Sequence, residues 1–120
     1  MPRADESKPY DLEDRTFNFA KASRAFVKRL PRTIANIEDA KQFIRASGSV
    51  GANYIEANES IGKKDFAMKI KTCRREAKES GYWLRLLESN GEFDSARAKL
   101  LIEAGELTNI FGAIVRKSQG

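Results

Sequence analysis

The residues in this sequence best suited to chemistry are lysines and arginines that recur at helical spacing. One line of them follows the first predicted helix and another follows the third. They are Lys21, Arg24 and Lys28 in the first line and Lys71, Arg75 and Lys78 in the second. Side chains three, four and seven positions apart share one face of a helix. Such cation clusters bind phosphates, so the pattern favours RNA or DNA as a ligand, with a solvated or interfacial face as the alternative.

The net charge of +5 is unevenly spread along the 120 residues. Residues 1–14 carry two basic and five acidic side chains, whereas residues 15–120 carry 20 basic and 12 acidic ones. A basic body behind an acidic leader favours an anionic partner, most simply nucleic acid. The alternative is a lysine-rich surface that only keeps the protein soluble, and charge alone slightly favours it.

The residues that could support catalysis are few. The sequence contains no histidine, which excludes Ser-His and Cys-His nucleophiles and the usual histidine-containing metal sites. Glu56, Glu76 and Glu79 could form a carboxylate cluster, but di-metal bundles normally add Glu-x-x-His pairs. Cys73, the single cysteine, lies on an apolar stripe and is expected in the core. We therefore predict no enzyme activity, metal or cofactor, and expect Glu56 and Glu79 to pair with Arg or Lys across a subunit contact.

Hydrophobic periodicity predicts four helices, at residues 11–30, about 37–60, 63–87 and from 94 or 95 to about 116. Asn36 is the expected N-cap of the second, with Asp39 completing a capping box, and Asn90-Gly91 is the expected end of the third. Gly48 and Gly51 oppose helix formation, yet the pattern continues through them, so we predict an unbroken helix with a closely packed neighbour.

Each predicted helix has one apolar stripe that should face the core. The stripes comprise Leu12, Phe19, Phe26 and Leu30; Ile37, Ala40, Phe43, Ile44, Ser47, Gly51, Tyr54 and Ile61; Phe66, Ile70, Cys73, Ala77, Leu84 and Leu87; and Phe93, Ala96, Leu100, Ala104, Leu107, Phe111 and Ile114.

Short connections between the helices predict an all-α fold, an antiparallel up-down-up-down four-helix bundle. We assign residues 11–118 to a single domain and residues 1–10 to a flexible polar leader. No apolar run approaches the roughly 20 residues that span a bilayer, and the N-terminus lacks a signal-like apolar segment. We therefore expect a cytoplasmic protein with no membrane association.

Aromatic and small residues outside the predicted core indicate a homo-oligomer, in which aromatic side chains of one subunit pack against small-residue grooves of another. Phe17 lies within the first basic line, where it could stack on a base. We favour a subunit contact for it, because phenylalanine is unfavourable in water. The candidate interface residues are Phe17, Ser49, Asn53, Glu56, Glu79, Tyr82, Trp83, Leu86, Gly105 and Gly112.

Several stretches in order along the chain resemble a known family. They are LEDRTFNFA at 12–20, FVKRLPRTI at 26–34, SGSVGANYIEANES at 47–60, KKDF at 63–66 and REAKESGYWLRLL at 75–87. The sequence resembles the four-helix-bundle proteins encoded in intervening sequences of bacterial 23S ribosomal RNA genes. The characteristic Asn and Glu of that family match Asn53 and Glu56, and a later Glu matches Glu79. Ala57 stands where the family often has Gly.

The resemblance implies a bundle that assembles into a ring-like homopentamer. It also implies a relationship to the accessory proteins of diversity-generating retroelements, which bind nucleic acid and a reverse transcriptase through a basic surface. The leading hypothesis is thus a non-catalytic oligomer that binds RNA or DNA. The alternative is an assembly or adaptor protein with a protein partner, such as a reverse transcriptase, and no nucleic-acid role.

Overall fold

The structure, a computed structural model, describes residues 11–91 and 94–119. These residues form four α-helices and no β-strand: α1 (Leu12–Lys28), α2 (Ile34–Asn58), α3 (Lys63–Leu86) and α4 (Asp94–Gln119). The all-α prediction is confirmed, and every helix boundary lies within three residues of its predicted position. The predicted leader at 1–10 and the core residue predicted at Phe93 lie outside the described residues.

The predicted core stripes of α1, α3 and α4 are confirmed, since their described members are buried or pack against the buried cluster. The stripe of α2 was partly wrong. Ile37 is 37% exposed and Ile61, beyond the end of the helix, is 94% exposed. The small residues Ala46, Val50 and Ala57 are buried instead. Small side chains allow neighbouring helices to approach, so α2 buries alanine and valine where isoleucine was expected.

Helix α2 begins three residues earlier than predicted because Thr33, not Asn36, is its N-cap. The Thr33 hydroxyl accepts a hydrogen bond from the Asn36 backbone N–H at 3.0 Å. The Asn36 side chain is buried and links two loops instead. Its amide nitrogen donates to the Pro31 and Glu88 carbonyls, and its oxygen accepts from the Glu88 N–H at 2.9 Å. Because the Asn36 amide group forms these three hydrogen bonds, it is not available to cap α2.

The glycines of α2 do not interrupt the helix, as predicted. A Cβ on Gly51 would lie 2.8 Å from the Thr16 hydroxyl oxygen, and one on Gly48 would lie 3.3 Å from the Arg24 guanidinium. Their close neighbour is therefore α1 of the same chain. The glycines bring α1 and α2 together, which outweighs their low helix propensity.

The turns on either side of α3 use left-handed backbone conformations. Gly62 precedes the helix with φ +95°, as expected for a turn glycine. The helix ends at Leu86, followed by the extended Leu87, so Asn90-Gly91 is not its C-cap. Asn90 (φ 58°) and Gly91 (φ 83°) instead form the turn that leads towards α4.

The packing of the helices decides which surfaces can act together. Helix α2 contacts α1 and α3, and α4 contacts α3 and, less extensively, α1. Within the described residues, no Cα atoms of α1 and α3, or of α2 and α4, lie within 8 Å of each other. Helices α1 and α3, which carry the two predicted basic lines, are therefore not neighbours.

Candidate nucleic-acid interface

The basic line of α1 lies on the surface of the domain. Lys21, Arg24 and Lys28 are exposed, and Phe17 in the same line is 61% exposed. The Lys21 ammonium lies 5.8 Å from the centroid of the Phe17 ring, a weak cation–π contact at an exposed site. Arg24 donates to the Ala20 carbonyl and covers Gly48, so it also contributes to packing between α1 and α2.

The three residues of the basic line of α3 have different surroundings. Arg75 is directed to the carboxylate of Glu76, with a nitrogen–oxygen distance of 3.5 Å. Lys78 instead lies in a groove between α3 and α4. Lys71 is exposed and has no ion pair within the described residues. The three residues therefore do not serve one common surface equally.

The groove that contains Lys78, which we call the α3–α4 groove, has a volume of about 460 Å³. Its deeper part is made by buried or half-buried small residues, and its edges are exposed polar or aromatic ones. It is lined by Ala77, Lys78, Gly81, Tyr82, Arg85, Leu101, Ala104, Gly105, Thr108 and Asn109. No lining residue is acidic. The groove is open because Gly81 and Gly105 lack side chains, and a Cβ on Gly105 would meet nothing within 4 Å.

Two further cations, one on α3 and one on α4, lie close to Gly112. The Arg74 Nε and the Arg116 Nη1 lie 3.6 and 3.5 Å from the position of a Cβ on Gly112, so both guanidinium groups converge on that glycine. No ion pair with another described residue is formed by Arg74, Arg116, Lys78 or Arg85. Cations without a carboxylate partner favour the approach of anions.

The sequence candidates omitted three of these cations, Arg74, Arg85 and Arg116. Arg85 lies seven residues after Lys78 and Arg74 lies four before it. Both spacings place a residue on the face of Lys78, so the helical period could have identified them. Arg75 was chosen in place of Arg74 because adjacent positions, about 100° apart on a helix, cannot be ranked until the position of α4 is known.

The opposite seam of α4, where it meets α1, is electrostatically different. Arg15 donates from Nε to Glu103 at 2.7 Å and from Nη2 to Glu106 at 2.5 Å. These hydrogen bonds, led by that to Glu103, raise the pKa of Arg15 above its usual value. The α1–α4 groove, about 630 Å³, is also lined by Asp11, Asp14 and Glu103. Of its two basic lining residues, Arg15 is already opposed by carboxylates, whereas Lys99 forms no ion pair with another described residue.

Arg97 is also held by groups of its own chain. Its Nη1 donates to the Leu84 carbonyl, its Nε lies 3.9 Å from the Asp94 carboxylate, and its guanidinium lies 5.6 Å from the Phe26 ring centroid. This arginine ties the end of α3 and the start of α4 to α1. It is a packing residue, unlike the exposed Arg85.

Glu56 has a partner in its own chain. The Lys69 ammonium lies 2.7 Å from the carboxylate of Glu56, whose side chain is still 61% exposed, and a partner across a subunit contact stays a prediction. Lys69 is on α3, and the packing of α3 against α2 places its ammonium beside the Glu56 carboxylate. Glu79 is half-buried, and its partner across a subunit contact stays a prediction.

Glu76 differs from the other acidic residues because its side chain is only 8% exposed. Its Oε1 is buried without a hydrogen-bond partner among the described residues. The carboxylate cluster considered in the sequence is not assembled, because Glu56 is bound to Lys69. In the described residues, no three Asp, Glu, His or Cys side chains are arranged to hold a metal ion.

Cys73 is a core residue, as predicted. It is fully buried, and burial raises the pKa of its thiol to about 12. The thiolate is the reactive form of cysteine, so this side chain is unsuited to nucleophilic chemistry near neutral pH.

The remaining interface candidates occupy different environments. Tyr82 and Leu86 are 56% and 45% exposed, whereas Trp83 is half-buried and packs against the core. Asn53 is half-buried and donates to the Ser49 carbonyl at 2.8 Å, within α2. Gly105 is exposed and lines the α3–α4 groove, whereas Gly112 is buried.

In residues 11–91 and 94–119, no helix combines the length and the apolar content needed to cross a bilayer.

Comparison with known proteins places these features in a family. The profile described as 23S rRNA-intervening sequence protein matches residues 10–112. A crystal structure of a protein of unknown function from the S23 ribosomal protein family, from Bacteroides thetaiotaomicron, is similar in fold with a TM-score of 0.73 and 26% identity. The similarity covers 86% of this chain and 96% of that one. Comparison with curated proteins found no match. This chain therefore belongs to the family of 23S rRNA-intervening sequence proteins.

Proposed function

We propose that this protein is a non-catalytic homo-oligomer that binds nucleic acid, with the α3–α4 groove as its principal contact surface. The observation that carries the proposal is a set of exposed cations with no carboxylate partner among the described residues. They flank a groove that no acidic residue lines. Phosphates release condensed counterions when such cations neutralise them, which drives binding without sequence preference.

The basic line of α1 supplies a second surface in this proposal. Because α1 and α3 are not neighbours, one subunit cannot present both surfaces as a single patch. An oligomer would bring copies of both surfaces to one ligand and increase avidity through effective concentration. The proposal therefore links nucleic-acid binding to assembly.

The subunit architecture that we propose is an antiparallel four-helix bundle within a ring-like homopentamer. Two contacts support antiparallel packing of α2 and α3. Asn36, near the start of α2, bonds Glu88, just after the end of α3, and Glu56, near the end of α2, bonds Lys69, near the start of α3. The exposed apolar side chains of Phe17, Ile55 and Ile102 support assembly, because large apolar groups favour contact over hydration. Light scattering coupled to size exclusion measures the subunit number, and a monomer would contradict this part of the proposal.

The binding proposal is tested by fluorescence anisotropy with a labelled RNA of about 12 nucleotides, within the usual site sizes of single-strand binders. We expect log K to fall linearly with log salt, by about 0.7 per phosphate contacted on a single strand. The variant Lys78→Ala/Arg85→Ala should lower that slope by about 1.4 and weaken binding at low salt. Absent or salt-independent binding would contradict the proposal.

A matched control distinguishes the groove from general positive charge. Lys41→Ala/Arg45→Ala removes the same charge from exposed positions of α2, a helix that does not contact α4. We expect this control to change affinity less than twofold at moderate salt, where distant exposed charges are screened. Equal losses in the two double variants would assign binding to net charge rather than to the groove.

An adaptor role is the second candidate. Ile34 and Ile61 are 86% and 94% exposed, and exposed isoleucines at helix ends suit a protein partner. A reverse transcriptase, the partner implied by the family resemblance, stays a prediction, as do the cytoplasmic location and the lack of enzyme activity. Retention of a protein by the immobilised chain after nuclease treatment, with no RNA or DNA binding, would favour this role.

A further inference from the structure

Tyr82 occupies a distinctive position in the α3–α4 groove. Its side chain is 56% exposed, and its ring meets that of Trp83 at 77° with a centroid separation of 5.1 Å. Trp83 is half-buried against the core, so this contact fixes the tyrosine in the groove. Among the described residues, no cation lies over the Tyr82 ring. The groove therefore presents an ordered aromatic ring that is still accessible.

The cations of the groove flank this ring along α3. Lys78 precedes Tyr82 by four residues and Arg85 follows it by three, which separates them from it by about 6 and 4.5 Å along the axis. Both side chains are exposed. An aromatic ring between two cations is the arrangement that binds a base by stacking and its neighbouring phosphates by charge.

Helix α4 supplies polar groups on the other side of the groove. The exposed Asn109 carries both amide donors and a carbonyl acceptor, which suit the edge of a base. The Thr108 hydroxyl donates to the Ala104 carbonyl at 2.7 Å, so its oxygen remains an acceptor. Ala77, Gly81 and Ala104 add no bulk to the floor of the groove. Its volume of about 460 Å³ lies within the range of small-ligand sites.

We propose that the α3–α4 groove is a single-strand site, in which one unpaired base stacks on Tyr82 while adjacent phosphates contact Lys78 and Arg85. This inference rests on the proposed nucleic-acid binding and specifies its ligand. A duplex base is already stacked on its neighbours, so it reaches the ring only after unstacking. The groove thus discriminates single-stranded from double-stranded nucleic acid. Stacking on Tyr82 and the phosphate contacts carry little sequence preference.

A second copy of the chain is the competing occupant of this groove. The absence of acidic lining residues argues against it, because a subunit entering the groove would have to satisfy Lys78 and Arg85 with its own carboxylates. A nucleic-acid strand supplies that negative charge at every phosphate. Charge complementarity therefore favours the strand.

The test compares an RNA of about 12 nucleotides with a duplex of the same strand, against wild type, Tyr82→Phe and Tyr82→Ala. We expect the single strand to bind at least roughly tenfold more tightly than the duplex. Tyr82→Ala should weaken single-strand binding about 5- to 100-fold, as for the loss of one stacked base, and change duplex binding less than about twofold. Tyr82→Phe keeps the ring and should remain within about twofold of wild type. A 2-aminopurine base in the strand should lose fluorescence on binding wild type but not Tyr82→Ala.

The outcomes separate this inference from the proposed function. Equal affinity for single strand and duplex, with Tyr82→Ala neutral and Lys78→Ala/Arg85→Ala weakened, would overturn the single-strand site and leave nucleic-acid binding intact. No binding of either ligand would overturn both. A smaller assembly for Tyr82→Ala on size exclusion, with single-strand affinity retained, would assign the groove to a subunit contact and also overturn the inference. Thermal unfolding of each variant verifies that the exposed substitution leaves the fold in place.

Discussion

Helix α4 packs along two seams that differ in how their basic residues are paired. On the α1 side, Arg15 is held between Glu103 and Glu106 at 2.7 and 2.5 Å, and three acidic residues line the groove. On the α3 side, Lys78 and Arg85 line a groove without any acidic residue. An arginine already held by two carboxylates must break these contacts before it binds a phosphate, whereas an unpaired one only releases water and counterions. Basic residues of equal charge thus differ in how readily they could bind a phosphate.

The largest effect is expected from placing a carboxylate in the α3–α4 groove. Gly105→Glu has space for its side chain, since a Cβ there meets nothing within 4 Å. The new carboxylate would oppose Lys78 and Arg85 and make this seam resemble the α1 seam. We expect RNA affinity at low salt to fall by roughly 10- to 100-fold, measured by anisotropy.

The matched control for this change is Gly105→Ala. Alanine adds no charge and should raise the free energy of unfolding by about 0.5–1 kcal/mol through better helix propensity. RNA affinity should stay within about twofold of wild type, since the phosphate contacts are unchanged. Equal loss of binding in both variants would mean that bulk, and not charge, closes the groove.

The second largest effect is expected on stability at the α1 seam. Arg15→Ala leaves Glu103 and Glu106 without their shared partner and should lower the free energy of unfolding by roughly 1 kcal/mol, measured by urea denaturation. RNA binding should be almost unchanged because Arg15 is not available to phosphates. A strong loss of binding in a stably folded Arg15→Ala variant would remove the distinction between the two seams.

Cys73 provides a probe of opening that is independent of RNA. With a thiol pKa of about 12 and full burial, it should react with thiol reagents at pH 8 only when the chain opens. Arg15→Ala should speed labelling about fivefold, the equivalent of 1 kcal/mol, and Lys78→Ala/Arg85→Ala less than twofold. Similar acceleration in both would show that both seams support the core equally.

The same thiol predicts a pH dependence. The folded-state pKa of Cys73 is raised above its ordinary value of 9, so above pH 9 the unfolded chain loses its thiol proton first. Burial of the neutral thiol therefore stabilises the fold fully below pH 9, and this contribution is lost between pH 9 and about 12. Cys73→Ala should remove this component from the dependence of unfolding free energy on pH, whereas a slope unchanged by the substitution would contradict it.

The smallest effect is expected from neutralising the acidic side of the α1 seam. Glu103→Gln/Glu106→Gln removes both ion-pair partners of the Arg15 guanidinium. The loss of two negative charges raises the net charge of the protein by two. We expect RNA affinity to rise about two- to threefold at low salt and to lose this gain at high salt, because the added charge is screened. A gain that persists at high salt would indicate a new direct contact instead.

Much of the fold could be predicted because each helix carries its own periodic signal. The stripe through Ile70, Cys73, Ala77 and Leu84 repeats at three, four and seven, and all four residues are fully buried. The N-terminus of α2 could not be predicted in the same way. Asn36 has the chemistry of a cap, but its hydrogen bonds with Glu88, 52 residues away, decide its role.

The candidate site was predicted less completely than the fold. Helical spacing identified Lys78, which lines the α3–α4 groove, whereas Tyr82 in the same groove was predicted to contact another subunit. It did not separate Arg74 from Arg75, since adjacent residues differ only in the neighbour that they face. It also did not identify Lys69 of the same chain, whose ammonium lies 2.7 Å from the Glu56 carboxylate. Ion-pair partners depend on the register between helices, which one helix pattern does not contain.

By itself, the sequence determined four amphipathic helices, an exposed set of cations and a buried Cys73, because burial and helix formation follow from the local spacing of apolar and charged side chains. Only the tertiary structure decided which of these cations are neutralised. The partners of Arg15 lie 88 and 91 residues away, whereas Lys78 and Arg85 lie against the glycine- and alanine-rich surface of α4. Electrostatic compensation depends on distances of a few ångströms between helices, and packing alone sets those distances.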